Sequence, residues 1–408
     1  MQMVPERALA RERNESVAHS WNPNPSLQND SPGGDRNREV RMRLLLEDGF
    51  SIEKATGVGR YTENLVRELG KYPDVEILPP PARNLVRKIR PLSARRIAYA
   101  AWLETAFQTQ VARLGADLIH FTNYLVPHRH KSTAKYVASI HDLTAWKLPE
   151  ALPPMYARYI RKAILRAVKV ADLILCPSHA IRKEVIEHFN LAEERVRAAW
   201  NGHSQLPEVP AERREELRRQ LCSRLGLQKP FVLFVGTLER RKNVTTLVEA
   251  FARVAGEMDL QCVMVGKPGY GFSEIKGSVE RQRCRDRYIL TGFVTDEELA
   301  LLYTLAELFV FPSRYEGFGT PLVEAMCFEL PIVASRIPST EEVAAEAAVY
   351  YDNPSDHDAL AGKLIEVLES PETKRGLGLR GKQRAGKFSW ENLARMHIDA
   401  YVGSLNGC

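Results

Sequence analysis

Between Phe309 and Ser335 the chain reads FVFPSRYEGFGTPLVEAMCFELPIVAS, a stretch that few folds accommodate. Leu308 to Phe311 is an apolar run of the length and type of a strand buried in a parallel sheet. A loop with Glu316, Gly317, Phe318 and Gly319 follows. Thr320 is then the expected N-cap, and Pro321 the first helical residue of a helix through Leu322, Val323, Glu324, Ala325 and Met326. A second apolar strand, Pro331 to Ala334, closes the unit. This order puts the glycine-rich loop and the helix start at the carboxyl end of a parallel sheet. Such crevices hold ligands, and the unpaired amides of a helix start attract anions.

Two glutamates bracket that helix start: Glu316 in the loop and Glu324 just inside the helix. One carboxylate can reach a ligand group beside a phosphate, and the other a group further along. Carboxylates accept hydrogen bonds from vicinal hydroxyls, which suits a sugar and a ribose on one diphosphate. The competing reading makes Glu324 a helix-dipole acid and Glu316 a solvated loop acid. FGTPL between them and strands on both sides favour the ligand-binding reading.

The same alternation recurs along the 408 residues, which suffice for two cores. VRMRLLLE from Val40 reads as a first strand, followed by TGVGRYTENLVRELGK, in which Gly57 and Gly59 precede a helix. ADLIHF and KYVASIHDLT are further strands, the second ending in His141-Asp142 at its carboxyl end. ADLILCPS follows, with Ser178 as cap of the helix Ala180–Phe189. FVLFVG opens a second series and leads into Thr237-Leu238-Glu239-Arg240-Arg241-Lys242-Asn243. There Arg241 and Lys242 are placed to meet a diphosphate through charge-assisted hydrogen bonds. LQCVMVG, YILTGFV, LFVFPS, PIVASRI and AVYYD complete the strands. The fold class is α/β, doubly wound, with right-handed crossovers.

Composition narrows the functions. Net charge of +6 is compatible with an anionic substrate or membrane surface, and no zinc-finger, homeodomain or RNP motif points to nucleic acid. The six cysteines form no C-x-x-C pair, and Cys176 and Cys262 lie in apolar strands, as in a reducing cytoplasm. No apolar run has membrane-spanning length, and the N-terminus lacks a signal-peptide core. Residues 1–39 read as a disordered leader. Arg83 to Leu103 interleaves Arg87, Lys88, Arg95 and Arg96 with apolar residues and Trp102, and Tyr156 to Val170 is a basic amphipathic helix. Both suit either peripheral contact with anionic lipid or a core-packed helix with a solvated face. Asp356-His357-Asp358 opens a helix, where acids favour the dipole, and is read as structural, with no metal required.

E-G-F-G-T-P-L-V-E-A-M resembles the E-x7-E signature of glycosyltransferase family 4, retaining enzymes of the two-domain GT-B fold. The resemblance spans roughly residues 40 to 405 and includes Gly57–Arg60, His141-Asp142 and the Lys242 loop in the family's order. It implies two Rossmann-like domains facing a cleft: residues 40–204 on the acceptor side, completed by a crossover helix within 389–408, and 205–388 for the nucleotide sugar. It implies catalytic roles for His141, Lys242 and Glu316. Donor contacts would come from Gly59, Arg241, Lys242, Phe318, Gly319, Thr320, Leu322 and Glu324, without a metal or other cofactor. The family places a basic residue just after the loop glycine; here Thr237 stands there, leaving Arg241 as candidate for the second charge. The implied reaction is retaining transfer of a hexose from GDP-mannose or a UDP-sugar to a saccharide or polyprenyl-linked acceptor in polysaccharide assembly, with the departing phosphate as base. A nucleotide-sugar epimerase of this architecture is disfavoured by E-x7-E with FGTP. An idle subunit that binds a partner enzyme is kept open by Thr237. Phosphorylase chemistry would need a pyridoxal phosphate lysine, for which no context is found.

Overall fold

A computed structural model describes residues 41–49, 57–81, 86, 89, 92–129, 132–203 and 206–407. Short apolar runs form parallel strands, and among the described residues these make two six-stranded sheets. The first contains β1 (Met42–Glu47), β2 (Val75–Leu78), β3 (Leu118–Phe121), β4 (Lys135–Ser139), β5 (Leu173–Cys176) and β6 (Val196–Ala198), in the order β2-β1-β3-β4-β5-β6. The second contains β7 (Phe231–Val235), β8 (Gln261–Val265), β9 (Tyr288–Gly292), β10 (Leu308–Phe311), β11 (Ile332–Ser335) and β12 (Ala348–Tyr351), in the order β12-β11-β10-β7-β8-β9. Every residue of β7, β8, β10 and β11 is buried, because helices cover both faces of a parallel sheet. The architecture is two Rossmann-like domains facing a cleft, as expected.

In the second sheet the strand order reverses between β7 and β10, which lie side by side. The loops leaving their carboxyl ends therefore diverge from one point, where such sheets hold ligands. These two loops carry Lys242 and Glu316. In the first sheet the reversal falls between β1 and β3, with β4 next to β3, so His141 emerges one strand away from the switch point.

Local expectations shift at three places. The helix after β10 runs Thr320–Cys327, and its N-cap is Gly319, not Thr320. Gly319 has φ of +97°, a left-handed conformation that glycine adopts without the strain a side chain would bring. The helix after β1 begins at Gly57, so Gly59 lies buried inside its first turn rather than ahead of it. In the segment from Arg83 to Leu103, Tyr99, Trp102 and Leu103 are buried in the first core. Trp102 therefore faces protein, although Ile97 is exposed. Arg83, Arg87, Lys88 and Arg90, the side chain of Arg96 and the leader 1–39 lie outside the described residues.

The C-terminal helix Trp390–Leu405 packs on the first sheet, with Trp390, Leu393, Ala394, Ala400 and Tyr401 in one cluster with β1, β3, β4 and β5. A buried polar run fastens it there. His397 Nδ1 donates to the Leu393 carbonyl at 2.8 Å, which leaves Nε2 to accept from Tyr61 OH at 2.7 Å. One proton per bond then requires Ser139 to donate to Tyr61, His120 Nε2 to Ser139, and Tyr401 to His120 Nδ1. Both imidazoles are neutral in this arrangement. Burial holds the His397 pKa down to about 4 and puts His120 well below its ordinary value. A base whose pKa falls on folding stabilises the protein fully above its unfolded value of 6.5, and that contribution disappears as pH drops toward 4. Urea denaturation should therefore show a loss of about 2 kcal/mol from His397 alone between pH 6.5 and 5. Equal stability at those two pH values would contradict the neutral network.

Candidate functional site

The loop after β7 turns through a short 3-10 segment, Arg240–Lys242, and leaves it at Asn243 in the left-handed conformation. Asn243 is fixed by its side-chain amide, which donates to the Pro312 carbonyl at 3.0 Å in the loop after β10. Arg314 N–H donates to the Arg241 carbonyl at 3.0 Å. Two loops that are distant in sequence are thus joined by neutral hydrogen bonds before any charge is considered.

The charges then meet. Glu316, only 5% exposed, accepts from Lys242 Nζ at 2.5 Å, Arg241 Nη1 at 2.5 Å and Ser313 Oγ at 2.7 Å. Burial by itself would raise its pKa, but the two cations and these hydrogen bonds bring it down to about 2. Arg241 also holds Glu239 through Nε and Nη2 and donates to the Tyr315 carbonyl at 3.1 Å. Lys242 Nζ lies 5.2 Å from the centre of the Phe311 ring. Arg241, Lys242, Glu239 and Glu316 sum to zero formal charge. Arg241, the candidate for the second charge, and Lys242 converge on Glu316, so each is already matched by a carboxylate.

Glu324 lies buried on the following helix, where its Oε2 accepts from Tyr303 OH at 2.9 Å. Thr320 begins that helix and is half-buried. Two further residues expected at the ligand have core side chains. Phe318 packs edge-on against Phe388, 5.5 Å between centroids, and Leu322 is fully buried in the second core. Both side chains belong to the second core.

From the first sheet, His141 donates Nε2–H to the Thr122 carbonyl at 2.9 Å and packs edge-on against Tyr61. A Cβ on Gly317 would sit 1.9 Å from the His141 carbonyl oxygen, so only glycine permits this approach of the two loops. Ser178 Oγ donates to the Gly317 carbonyl at 2.8 Å. Further out, Arg314 pairs with Glu150 at 2.8 Å and Arg60 with Asp296 at 3.4 Å, both between the two halves. Gly59 lies one residue before Arg60, on the first-half side.

Asp356 caps the helix His357–Glu369 by accepting from the Asp358 and Ala359 amides, and Asp358 pairs with Arg253 at 2.5 Å. Among the described residues no group of three or more His, Cys, Asp and Glu is arranged to hold a metal. Sequence reasoning missed Glu239, Ser313, Tyr303 and Tyr315. Ser313 had a local signal, a hydroxyl three residues before the acid in a tight loop. Tyr303 reaches Glu324 from a separate helix and had none.

The two halves match known families separately. Residues 55–204 match Glycosyltransferase Family 4, and residues 215–384 match Glycosyl transferases group 1. The O-antigen chain mannosyltransferase B of Escherichia coli is 30% identical over 372 residues, 85% of this chain and 96% of that protein. The serotype-specific mannosyltransferase WbdA of Escherichia coli is 26% identical over 387 residues, 90% of this chain but 45% of that longer protein. The structure of sucrose-phosphate synthase from Thermosynechococcus elongatus superposes with a TM-score of 0.70 at 23% identity, over 90% of this chain and 100% of that one, a likeness of fold.

Proposed function

We propose a specific transfer for this chain, which belongs to the glycosyltransferases described by Family 4 and group 1. It moves a mannosyl group from a nucleotide diphosphate sugar to a growing saccharide or polyprenyl-linked acceptor, with retention of configuration. The observation that carries this reading is the meeting of Lys242, Arg241 and Glu316 at the switch point, against the loop of His141. Mannose rests on the names of the two Escherichia coli relatives. GDP-mannose is the first donor to try and UDP-sugars the next.

In the reaction the anomeric carbon gains oxocarbenium character while negative charge builds on the departing phosphate. Lys242 and the amides around Gly319 and Thr320 stabilise that charge. For Lys242 to reach the phosphate, Glu316 must give up its contact. The freed carboxylate then takes hydroxyls of the transferred sugar. Glu324, oriented by Tyr303, holds the ribose, and His141 contacts the sugar from the first half. Approach of the halves excludes water from the charged centre. The departing phosphate takes the acceptor's proton on the same face, and no metal is needed.

The acceptor side rests on the inner face of the cytoplasmic membrane. The helix Pro154–Val170 exposes Met155, Tyr159 and Leu165 beside exposed Arg158, Lys162 and Lys169. Such a face binds anionic lipid by apolar insertion and charge together. The test is a panel of nucleotide sugars, with chelator present and polyprenyl-linked saccharides offered in anionic or neutral vesicles. Acceptor-dependent release of one nucleotide, faster on anionic vesicles, is expected. Release from no donor would favour the idle-subunit reading, and conversion of the donor without acceptor would favour the epimerase.

A further inference from the structure

Tyr315 immediately precedes Glu316 in the loop after β10, yet its ring packs with the core of the first sheet. Its phenol donates to Glu184 Oε2 at 2.7 Å, on the helix His179–Phe189. The same oxygen accepts the Leu143 N–H at 3.0 Å. Leu143 ends the turn that begins with His141 and leads into the helix Thr144–Lys147, whose first amide donates to Asp142 Oδ1 at 2.9 Å. On the backbone side, the Tyr315 carbonyl accepts from the Arg241 Nη1 that also holds Glu316. On the other flank of Glu316, Gly317 is fixed by Ser178 and by its approach to His141.

We propose that Tyr315 is a positioning residue, with Glu184 as its anchor: its single phenol sets the Glu316 loop of one half against the His141–Leu143 turn of the other. The role rests on the reading that Glu316 and His141 attend the same transferred sugar. Only a group that accepts from an amide while donating to a carboxylate can hold both neighbours at once, and a tyrosine hydroxyl does so from a rigid arm. The phenol touches no reacting atom. It acts through the placement of Glu316 and His141, where small displacements are expensive for turnover.

Tyr315→Phe removes both hydrogen bonds and keeps the ring. We expect kcat to fall about tenfold by misplacement, with the Kd for the free nucleotide diphosphate unchanged within about twofold. Glu184→Ala should copy this loss, whereas Glu184→Gln, which retains an acceptor oxygen, should recover most of the rate. Because the residues act as one unit, the Tyr315→Phe/Glu184→Ala double variant should be no slower than either single variant. Hydrogen exchange of the peptide bearing the Leu143 amide, measured without substrate, should speed up in Tyr315→Phe and in Glu184→Ala. Should Tyr315→Phe fail to fold, the two Glu184 variants carry the same comparison. Wild-type kcat in Tyr315→Phe, with or without a lower melting temperature, overturns the proposal, as do losses that multiply in the double variant. If wild type turns over no donor, the transfer reading fails separately. The exchange measurement then decides the coupling, and an unchanged Leu143 peptide overturns it.

Discussion

On the proposed transfer, Lys242→Ala should lower kcat by roughly 100-fold or more, because it removes the cation that meets the developing leaving-group charge once Glu316 releases it. The ammonium is almost fully buried, so water replaces it poorly, and its side chain is confined between Phe311 and the backbone at Gly236. The fold should survive, since Glu316 keeps Arg241 and Ser313 as donors after the change. Arg241 replaces it poorly, because in the variant its fork alone must hold Glu316 along with Glu239 and the Tyr315 carbonyl. Steady-state kinetics with the wild-type donor checks this. An intact kcat with only KM raised would limit Lys242 to ground-state binding.

Glu316→Gln should produce an opposite pair of effects. Turnover should fall by roughly 100-fold, since the amide cannot order the sugar hydroxyls as a carboxylate does. The free nucleotide diphosphate, however, should bind about tenfold more tightly. The cluster of Arg241, Lys242, Glu239 and Glu316 is neutral in the wild type, and the substitution leaves it with one net positive charge. An incoming diphosphate then meets cations that it does not have to detach from a buried carboxylate. Calorimetry with the nucleotide alone separates this from a general loss of structure, which would weaken binding. Weaker binding with unaltered turnover would mean that Glu316 supports the nucleotide and not the sugar.

The strands were legible because buried parallel strands are written as unbroken apolar runs. Leu308–Phe311 was placed to the residue, and Pro331–Ala334 moved by one to Ile332–Ser335. The glycine loop was legible too, but its cap was not. Thr320 has the side chain of an N-cap, whereas the chain reverses there through a positive φ that Gly319 alone supplies. Trp102 shows another limit: cations alternating with apolar residues look alike whether the apolar face meets lipid or core, and here Trp102 and Tyr99 meet core. The ion cluster was hidden for a topological reason. Lys242 and Glu316 are 74 residues apart and meet because β7 and β10 are neighbours at the reversal of strand order. Local spacing carries no information about that adjacency, so the sequence displayed the charges without their mutual neutralisation.

Whether the Lys242–Glu316 centre serves a retaining transfer is decided by the anomeric configuration of the first product. GDP-mannose carries its sugar with α configuration. Purified protein should convert it, with a saccharide acceptor, to a product whose new linkage is α when read by proton NMR at early time points. The Lys242→Ala variant should give the same linkage more slowly. A β linkage from the wild-type protein would contradict the account, because it requires attack from the face opposite the departing phosphate.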